Sequence, residues 1–289
     1  MQKTWLVTGS AGGLGRAITE LVLASGDQVV ATARQPERLA ALQAQYGSRI
    51  IVAALDVTDV GAADVAVKRA IGAYGRLDVL VNNAGFAKIA PFEQTALEDF
   101  RAQIDTNFYG VVNLTRSALP TMRQQRSGHI INISSGAGRI GAAGMSAYSA
   151  AKFAVGGFTE SLAKEVATFG VRVIAVEPGS MQTNWASSAS ADTADVSPDY
   201  ELTVGHSLAA ARQLAGNEIG DLQKYAQVIF DLSRRNELPN HLLLGSDAFF
   251  VVRKGDTARD KAAAEWEGVS RSTDREGADL SFLSHVAIA

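Results

Sequence analysis

Short, nearly unbroken apolar runs alternate along this chain with stretches in which apolar residues return every three or four positions. The runs fall at residues 3–8, 29–33, 50–55, 79–81, 130–133 and 171–176, and a last one at 241–245. Continuous apolar character predicts strands buried on both faces, and the intervening 3.6-residue pattern predicts helices that cover them. Helices are expected over 16–25, 97–125, 199–215, 221–235 and 246–270. The alternation defines an α/β chain with a mostly parallel sheet of about seven strands and helices on both faces. In such sheets ligands bind beyond the carboxyl ends of the strands.

The candidate chemistry begins at those ends. After the first strand comes Gly9-Ser10-Ala11-Gly12-Gly13-Leu14-Gly15, and a helix follows at once. A glycine-rich turn between strand and helix lets backbone N–H groups approach a pyrophosphate, and the helix N-terminus favours its charge. The glycines fit both G-x-x-x-G-x-G and G-x-x-G-x-x-G. Neither is the common dinucleotide spacing, and an isolated motif of this kind is also compatible with a plain flexible loop.

Further on, Tyr148 and Lys152 stand one helical turn apart, so the phenol and the ammonium share a helix face. A nearby cation favours the phenolate, which makes such a tyrosine usable as a general acid or base. Taken alone, the pair is more often a core aromatic beside a solvated charge. Ser135 ends the strand at 129–134, where serines are commonly turn formers, and Ser134 adjoins it. Arg34 follows the second strand with no carboxylate beside it. Asp56 follows the third and reads as a cap for a helical segment beginning at Thr58. Asn107 lies in the middle of the long helical stretch, where asparagine is usually polar surface.

These residues together carry a resemblance. Thr8-Gly9-x-x-x-Gly13-x-Gly15, Asn82-Asn83-Ala84-Gly85, Asn107, Ser135, Tyr148-x-x-x-Lys152 and Pro178-Gly179 resemble, in order and spacing, the motifs of classical short-chain dehydrogenases/reductases. The likeness runs through residues 3–185. It implies a doubly wound Rossmann fold and an enzyme that moves hydride between a nicotinamide cofactor and a carbonyl or alcohol carbon. By the same likeness Ser135 and Tyr148 bind the reacting oxygen, Tyr148 acts as acid or base, Lys152 bonds the nicotinamide ribose and lowers the Tyr148 pKa, and Asn107 holds a water linking Lys152 to solvent. The thirteen-residue spacing to Tyr148 selects Ser135 over Ser134.

The resemblance also assigns the cofactor contacts. Gly9, Ser10, Gly12, Gly13, Leu14 and Gly15 would cradle the pyrophosphate. Asp56 and Val57 would meet the adenine, and Asn83, Ala84 and Gly85 would lie along the adenosine ribose. Pro178, Gly179, Met181 and Thr183 would hold the carboxamide, with Met181 replacing a smaller aliphatic residue. Arg34 at the end of the second strand favours the 2′-phosphate of NADP(H) over NAD(H).

Composition narrows the rest. At 289 residues and 47% hydrophobic content the chain can bury a large core, and no Pro- or Ser-rich linker or repeat divides it, so one domain over 1–289 is expected. Within it, 1–185 would be the core, 186–240 a substrate cover and 241–289 a last strand with a C-terminal extension. A formal charge of -3 offers no basic footprint for nucleic acid, and the absence of cysteine excludes disulfides and thiol-bound metal; no metal site is expected. No apolar stretch approaches membrane-spanning length, and a cytoplasmic location follows by default.

The Ala-, Ser- and Asp-rich stretch from 186 onward reads as a mobile lid, extending to 215. The long ending resembles bacterial hydroxysteroid-dehydrogenase-like members of the family, which implies a bulky or apolar carbonyl substrate. Met145, Trp185 and Phe86 are candidates to line its pocket. The family's habit of pairing through the helices of Asn107 and Tyr148 implies a homodimer or homotetramer. A non-catalytic NADP-binding sensor and a sugar-nucleotide epimerase or dehydratase also fit the glycine turn, but not the full set of Asn107, Ser135, Tyr148, Lys152 and the Asn82–Gly85 motif.

Overall fold

The computed structural model describes residues 2–183, 185–191 and 196–285. Seven strands form one wholly parallel sheet: β1 (Thr4–Val7), β2 (Gln28–Ala33), β3 (Ile50–Ala54), β4 (Val79–Asn82), β5 (Gly128–Ile133), β6 (Val171–Pro178) and β7 (His241–Leu244). Their spatial order is β3-β2-β1-β4-β5-β6-β7, so the chain reverses direction of growth between β1 and β4. That reversal opens a crevice at the carboxyl ends of these two strands, where the glycine turn lies.

Successive strand residues point to opposite faces, and the two faces carry two separate cores. Trp5, Val7, Val29, Ala31 and Ile131 pack beneath α1 (Gly13–Ala24) and α9 (Leu222–Leu232). Leu6, Val30, Leu80, Ile130 and Val173 pack beneath α3 (Val60–Tyr74), α5 (Gly110–Gln125) and α6 (Ser146–Val166). Leu6 pairs in register with both Val30 and Leu80, which continues one apolar row across three strands. Strands covered on both sides have no polar face to present, which is why their sequence lacks alternation.

The remaining helices are α2 (Ala40–Tyr46), α4 (Leu97–Ile104), α7 (Trp185–Ala191), α8 (His206–Leu214), α10 (Ser246–Glu265) and α11 (Glu267–Arg271). Three local expectations change. The long helix over 97–125 is α4 and α5 joined by a π-helical turn, Asp105–Tyr109. The helix after β3 starts at Val60 and is capped by Asp59, whose Oδ1 accepts from Ala62 N at 2.9 Å; Asp56 instead accepts from Thr58 N and Oγ1 at 3.0 and 2.8 Å. The Asp56 carboxylate is thereby held below its ordinary pKa, chiefly by the Thr58 N–H.

The third change concerns the stretch expected to be a lid. Residues 192–195 lie outside the described residues. Before them α7 is an ordered helix whose Ala186 and Ala189 are buried, and Ile89 N donates to Ala189 O at 3.1 Å. Small alanines here are an inward face, which composition alone presented as polar loop. Among the described residues no helix is long and apolar enough to cross a membrane.

At the amino ends of the strands, His129 on β5 is buried with its Nε2 at 2.9 Å from Arg235 O, and burial pushes its pKa down to about 4. The unfolded chain takes up this proton near 6.5, so between 6.5 and 4 protons bind the unfolded state preferentially and stability falls as pH falls. The loss should be on the order of 3 kcal/mol across that window. Urea denaturation at pH 7 and pH 4 checks it: His129→Asn should lose less stability over this interval than the native protein.

Candidate active site

The site is built where four strands end. At β1, Gly9 and Gly13 have φ of +69° and +51°, which only glycine adopts without strain. Gly12 caps α1 in extended conformation with no side-chain cap bond, and no acidic residue occupies the first turn. The first N–H groups of α1 are thus available to an anion. A Cβ on Gly15 would collide with Gly9 O and stand 2.5 Å from Asn83 Nδ2, so this turn closes tightly on the neighbouring strand end. Ser10 points inward, its hydroxyl donating to Val7 O at 2.9 Å, and Leu14 is buried in the core; both shape the cradle through their backbone.

Thr8 knots this turn to β4. Its Oγ1 accepts from Asn83 N at 2.9 Å and Ala84 N at 3.0 Å, and Asn83 Nδ2 donates to Thr8 O at 2.9 Å. The amide of Asn83 therefore ties adjacent loops together. Val57 is buried against Gly110, and its carbonyl accepts from Asn113 Nδ2 at 3.0 Å.

Beyond β4 the chain approaches Asn107 and Lys152. A Cβ on Gly85 would lie 2.5 Å from Asn107 Oδ1 and 3.5 Å from Lys152 Nζ. Asn107 sits in the π turn, wholly buried, and donates from Nδ2 to Phe86 O and Gln103 O, each at 2.8 Å. Its Oδ1 has no protein partner. An unpaired buried acceptor costs stability unless another molecule supplies the donor. π turns of this kind recur at functional sites.

Lys152 and Tyr148 project from α6 into the same space. Lys152 is 4% exposed, its Nζ donating to Ile133 O at 2.8 Å and lying 5.6 Å from the Tyr148 ring centroid. Burial pushes the lysine down to about 8. Burial also pushes Tyr148 up to about 12, with a hydrogen bond to Ser135 pulling the other way. The expected lowering of Tyr148 by Lys152 is absent here: the ammonium is turned to the Ile133 carbonyl, and desolvation of the phenolate dominates.

The two serines separate cleanly. Ser134 is buried and donates to Lys152 O at 3.1 Å, fixing α6 on the strand. Ser135 faces the phenol, and its Oγ accepts from Ala137 N at 3.1 Å. On the far side Gly179 N donates to Leu244 O at 2.8 Å after Pro178, and Met181 bridges to Gly220. A Cβ on Gly13 would meet Thr183 Cγ2 at 3.3 Å, which brings the segment after β6 over the glycine turn. Trp185 follows, 37% exposed, its ring 5.4 Å from that of Tyr148. Met145 packs with Tyr148 in an apolar cluster that includes Ala87, Ile89, Val204 and Leu208.

Arg34 is exposed beside Asp56 and helps lower its pKa. Arg38 was not among the residues read from sequence. Its Nη2 lies 3.8 Å from the position of a Cβ on Gly12, and its carbonyl accepts from Arg16 Nη1 at 3.3 Å. No local pattern in the sequence signals it, because its approach to Gly12 depends on the folded turn.

Free N–H groups at the start of α1, basic residues at one end and a Ser-Tyr-Lys set with its tyrosine and lysine buried at the other define the class. The chain belongs to the short chain dehydrogenase family, whose pattern matches residues 3–194. It is similar to Oxidoreductase BOA17 of Botryotinia fuckeliana, 43% identical over 271 residues that cover 93% of this chain and 98% of that one. The crystal structure of a short-chain dehydrogenase from Streptomyces avermitilis superposes with a TM-score of 0.87 at 40% identity, covering 95% and 100% of the two chains. The NADP-dependent 3-hydroxy acid dehydrogenase YdfG of Escherichia coli is 39% identical over 175 residues, 60% of this chain and 71% of that one. The protein is an oxidoreductase of this family.

The Gly85 approach leads to a direct test. Gly85→Ala should displace Asn107 or Lys152 by a fraction of an ångström to an ångström, and a misplacement of that size costs turnover about 100-fold. Steady-state rates of the folded variant check this, with thermal melting as the control for fold.

Proposed function

We propose that the protein is an NADP(H)-dependent carbonyl reductase or alcohol dehydrogenase in which Tyr148 is the general acid and base. The observation that carries this reading is the set of Ser135 with the buried Tyr148 and Lys152, beside the unpartnered Asn107 Oδ1. The residues present fit a nicotinamide dinucleotide: the uncapped start of α1 suits a pyrophosphate, and Gly9, Gly12, Gly13, Gly15, Asn83, Ala84 and Gly85 leave room for backbone approach. Pro178, Gly179, Met181 and Thr183 are assigned to the carboxamide end. When bound, the cofactor supplies or accepts the hydride.

The chain's own residues supply the proton and the orientation. Ser135 and Tyr148 hydrogen-bond the substrate oxygen and stabilise charge developing on it. With its pKa near 12, Tyr148 is protonated at neutral pH and so is loaded for donation to an alkoxide. Lys152, held by Ile133 O and adjacent to Asn107, is placed to hold a ribose hydroxyl and to replenish the proton. Asn107 Oδ1 is the natural acceptor for a bridging water.

Arg34 and Arg38 support NADP(H) over NAD(H), because two guanidinium groups flank the end of β2 and the mouth of the glycine turn. The relative YdfG is named NADP-dependent, in keeping with this. Segment 186–240 is the part assigned to cover the substrate. Its apolar cluster over Tyr148, with Met145 and Trp185, suits a bulky apolar ketone or aldehyde. The remaining readings are a cytoplasmic location and a homodimer or homotetramer, paired through α5 and α6.

The test is oxidation of NADPH over a panel of ketones, aldehydes, quinones and steroids. Tyr148→Phe should bind NADPH normally yet lose turnover by about 100- to 10,000-fold. Retained turnover would remove Tyr148 as the acid. Arg34→Ala should weaken NADPH by about 2 kcal/mol while leaving NADH nearly unchanged, measured as the two dissociation constants.

A further inference from the structure

The C-terminal helix α10 touches both loops that border the Ser135–Tyr148 centre. At its first turn, Asp247 Oδ2 accepts from Ser180 N at 2.8 Å, and a Cβ on Gly179 would collide with the same carboxylate. One residue on, Ala248 Cβ lies 3.5 Å from where a Cβ on Gly136 would stand. Two turns later Gly255 meets Ile140 so closely that any Cβ there would overlap Ile140 Cδ1. The helix thus lies along the turn that follows Ser135.

Arg139 closes this contact. Its Nη1 is 3.4 Å from Glu177 Oε2, on β6 immediately before Pro178, and its Nη2 is 3.5 Å from Asp256 Oδ2 on α10. The Glu177 side chain is 1% exposed and is bonded on its other oxygen by His241 Nδ1 at 2.6 Å. Arg259 reaches back from α10, donating to Arg139 O at 2.9 Å and pairing with Asp256. The Ser135 turn itself is short: Gly138 N donates to Ser135 O at 2.8 Å, Arg139 N to Gly136 O at 3.0 Å and Ala137 N to Ser135 Oγ at 3.1 Å. Glycine at 136 and 138 gives this turn little rigidity of its own. Fixed charges on β6 and α10 gripping Arg139 supply what the turn lacks.

We propose that Arg139, gripped between Glu177 of β6 and Asp256 of α10, is a positioning residue that fixes the Ser135 turn, so that the C-terminal extension is part of the support of the active site. The inference rests on the functional reading above for the role of Ser135, but the grip on the turn is a property of the folded chain alone. Removing Arg139 also leaves the buried Glu177 with one cation fewer. Asp256→Ala is the cleaner variant, since it keeps the Arg139–Glu177 pair.

Two measurements test it. In amide hydrogen exchange of the protein without added ligand, Asp256→Ala and Arg139→Ala should speed exchange at Ala137 and Gly138 about tenfold while leaving β5 unchanged. Exchange equal to that of the native protein in this turn overturns the proposal. In turnover with NADPH and the best ketone from the panel, both variants should lose about tenfold in kcat with NADPH affinity within twofold of native, and Arg139→Lys should recover part of the loss. In a Ser135→Ala background the same substitutions should cost less than twofold, because a residue that acts through Ser135 has nothing further to lose. Additive losses in that background overturn the role assigned to Arg139. If the native protein reduces no carbonyl compound, the functional reading fails, and hydrogen exchange still decides whether the clamp holds the turn.

Discussion

A lysine ammonium buried to 4% exposure is the constraint around which this active site is arranged. Removing a cation from water is costly unless oxygen atoms replace its hydration. Ile133 O supplies one at 2.8 Å, which requires β5 to end beside α6 at a fixed height. Ser134 sets that height by bonding the Lys152 carbonyl, and Gly85 leaves the space on the other side. The π turn carries Asn107 to the same point. One extra residue in the turn reorients the asparagine so that its amide closes on Phe86 and Gln103 while its Oδ1 stays free. Two strand ends, the helix α6 and the π turn therefore converge on a single charge.

Much of this was legible because the physical signals are local. Strands covered on both faces must be apolar throughout, so β1 to β6 stand out as runs, and the helices that intervene between them imply that the strands run parallel. The Tyr148 and Lys152 pair is legible because one helical turn fixes their relation. Other features depend on partners far along the chain. The π turn has no compositional signature, so 105–109 reads as ordinary helix. The alanines of α7 read as a polar loop because their burial depends on Ile89 and Tyr148, contributed by distant segments. Arg38 gains its meaning only from the fold of the turn at Gly12. The Arg139–Asp256 contact spans 117 residues and has no sequence trace.

The electrostatic expectation failed for a reason that itself bears on mechanism. A cation one turn away from a tyrosine lowers its pKa only if both share a medium in which the phenolate is tolerable. Here α6, Ser135 and the ring of Trp185 surround the phenol, and the penalty for a buried phenolate exceeds the help available from Lys152 at 5.6 Å from the ring centroid. Ser135 is the group that pulls the Tyr148 pKa down. It is held by a glycine-bearing turn, and that turn by Arg139. The position of one serine thus tempers how strongly burial holds the phenol's proton.

That arrangement also separates the two halves of an acid–base cycle. A phenol near 12 and an ammonium near 8 are both protonated over most of the neutral range, which on the proposed function is the donating state. For the reverse step the phenolate must be reached, and the energy to reach it has to come from whatever brings positive charge and donors closer to the Tyr148 oxygen. Among the described residues Lys152 is the only cation in contact with this ring, and its one acceptor is a strand-end carbonyl. Rotating the ammonium from Ile133 O toward the phenol is a small side-chain motion with a large electrostatic effect in a medium this dry. On the proposed function, the balance between those two positions, together with the resting pKa values, would set how readily the phenolate is reached.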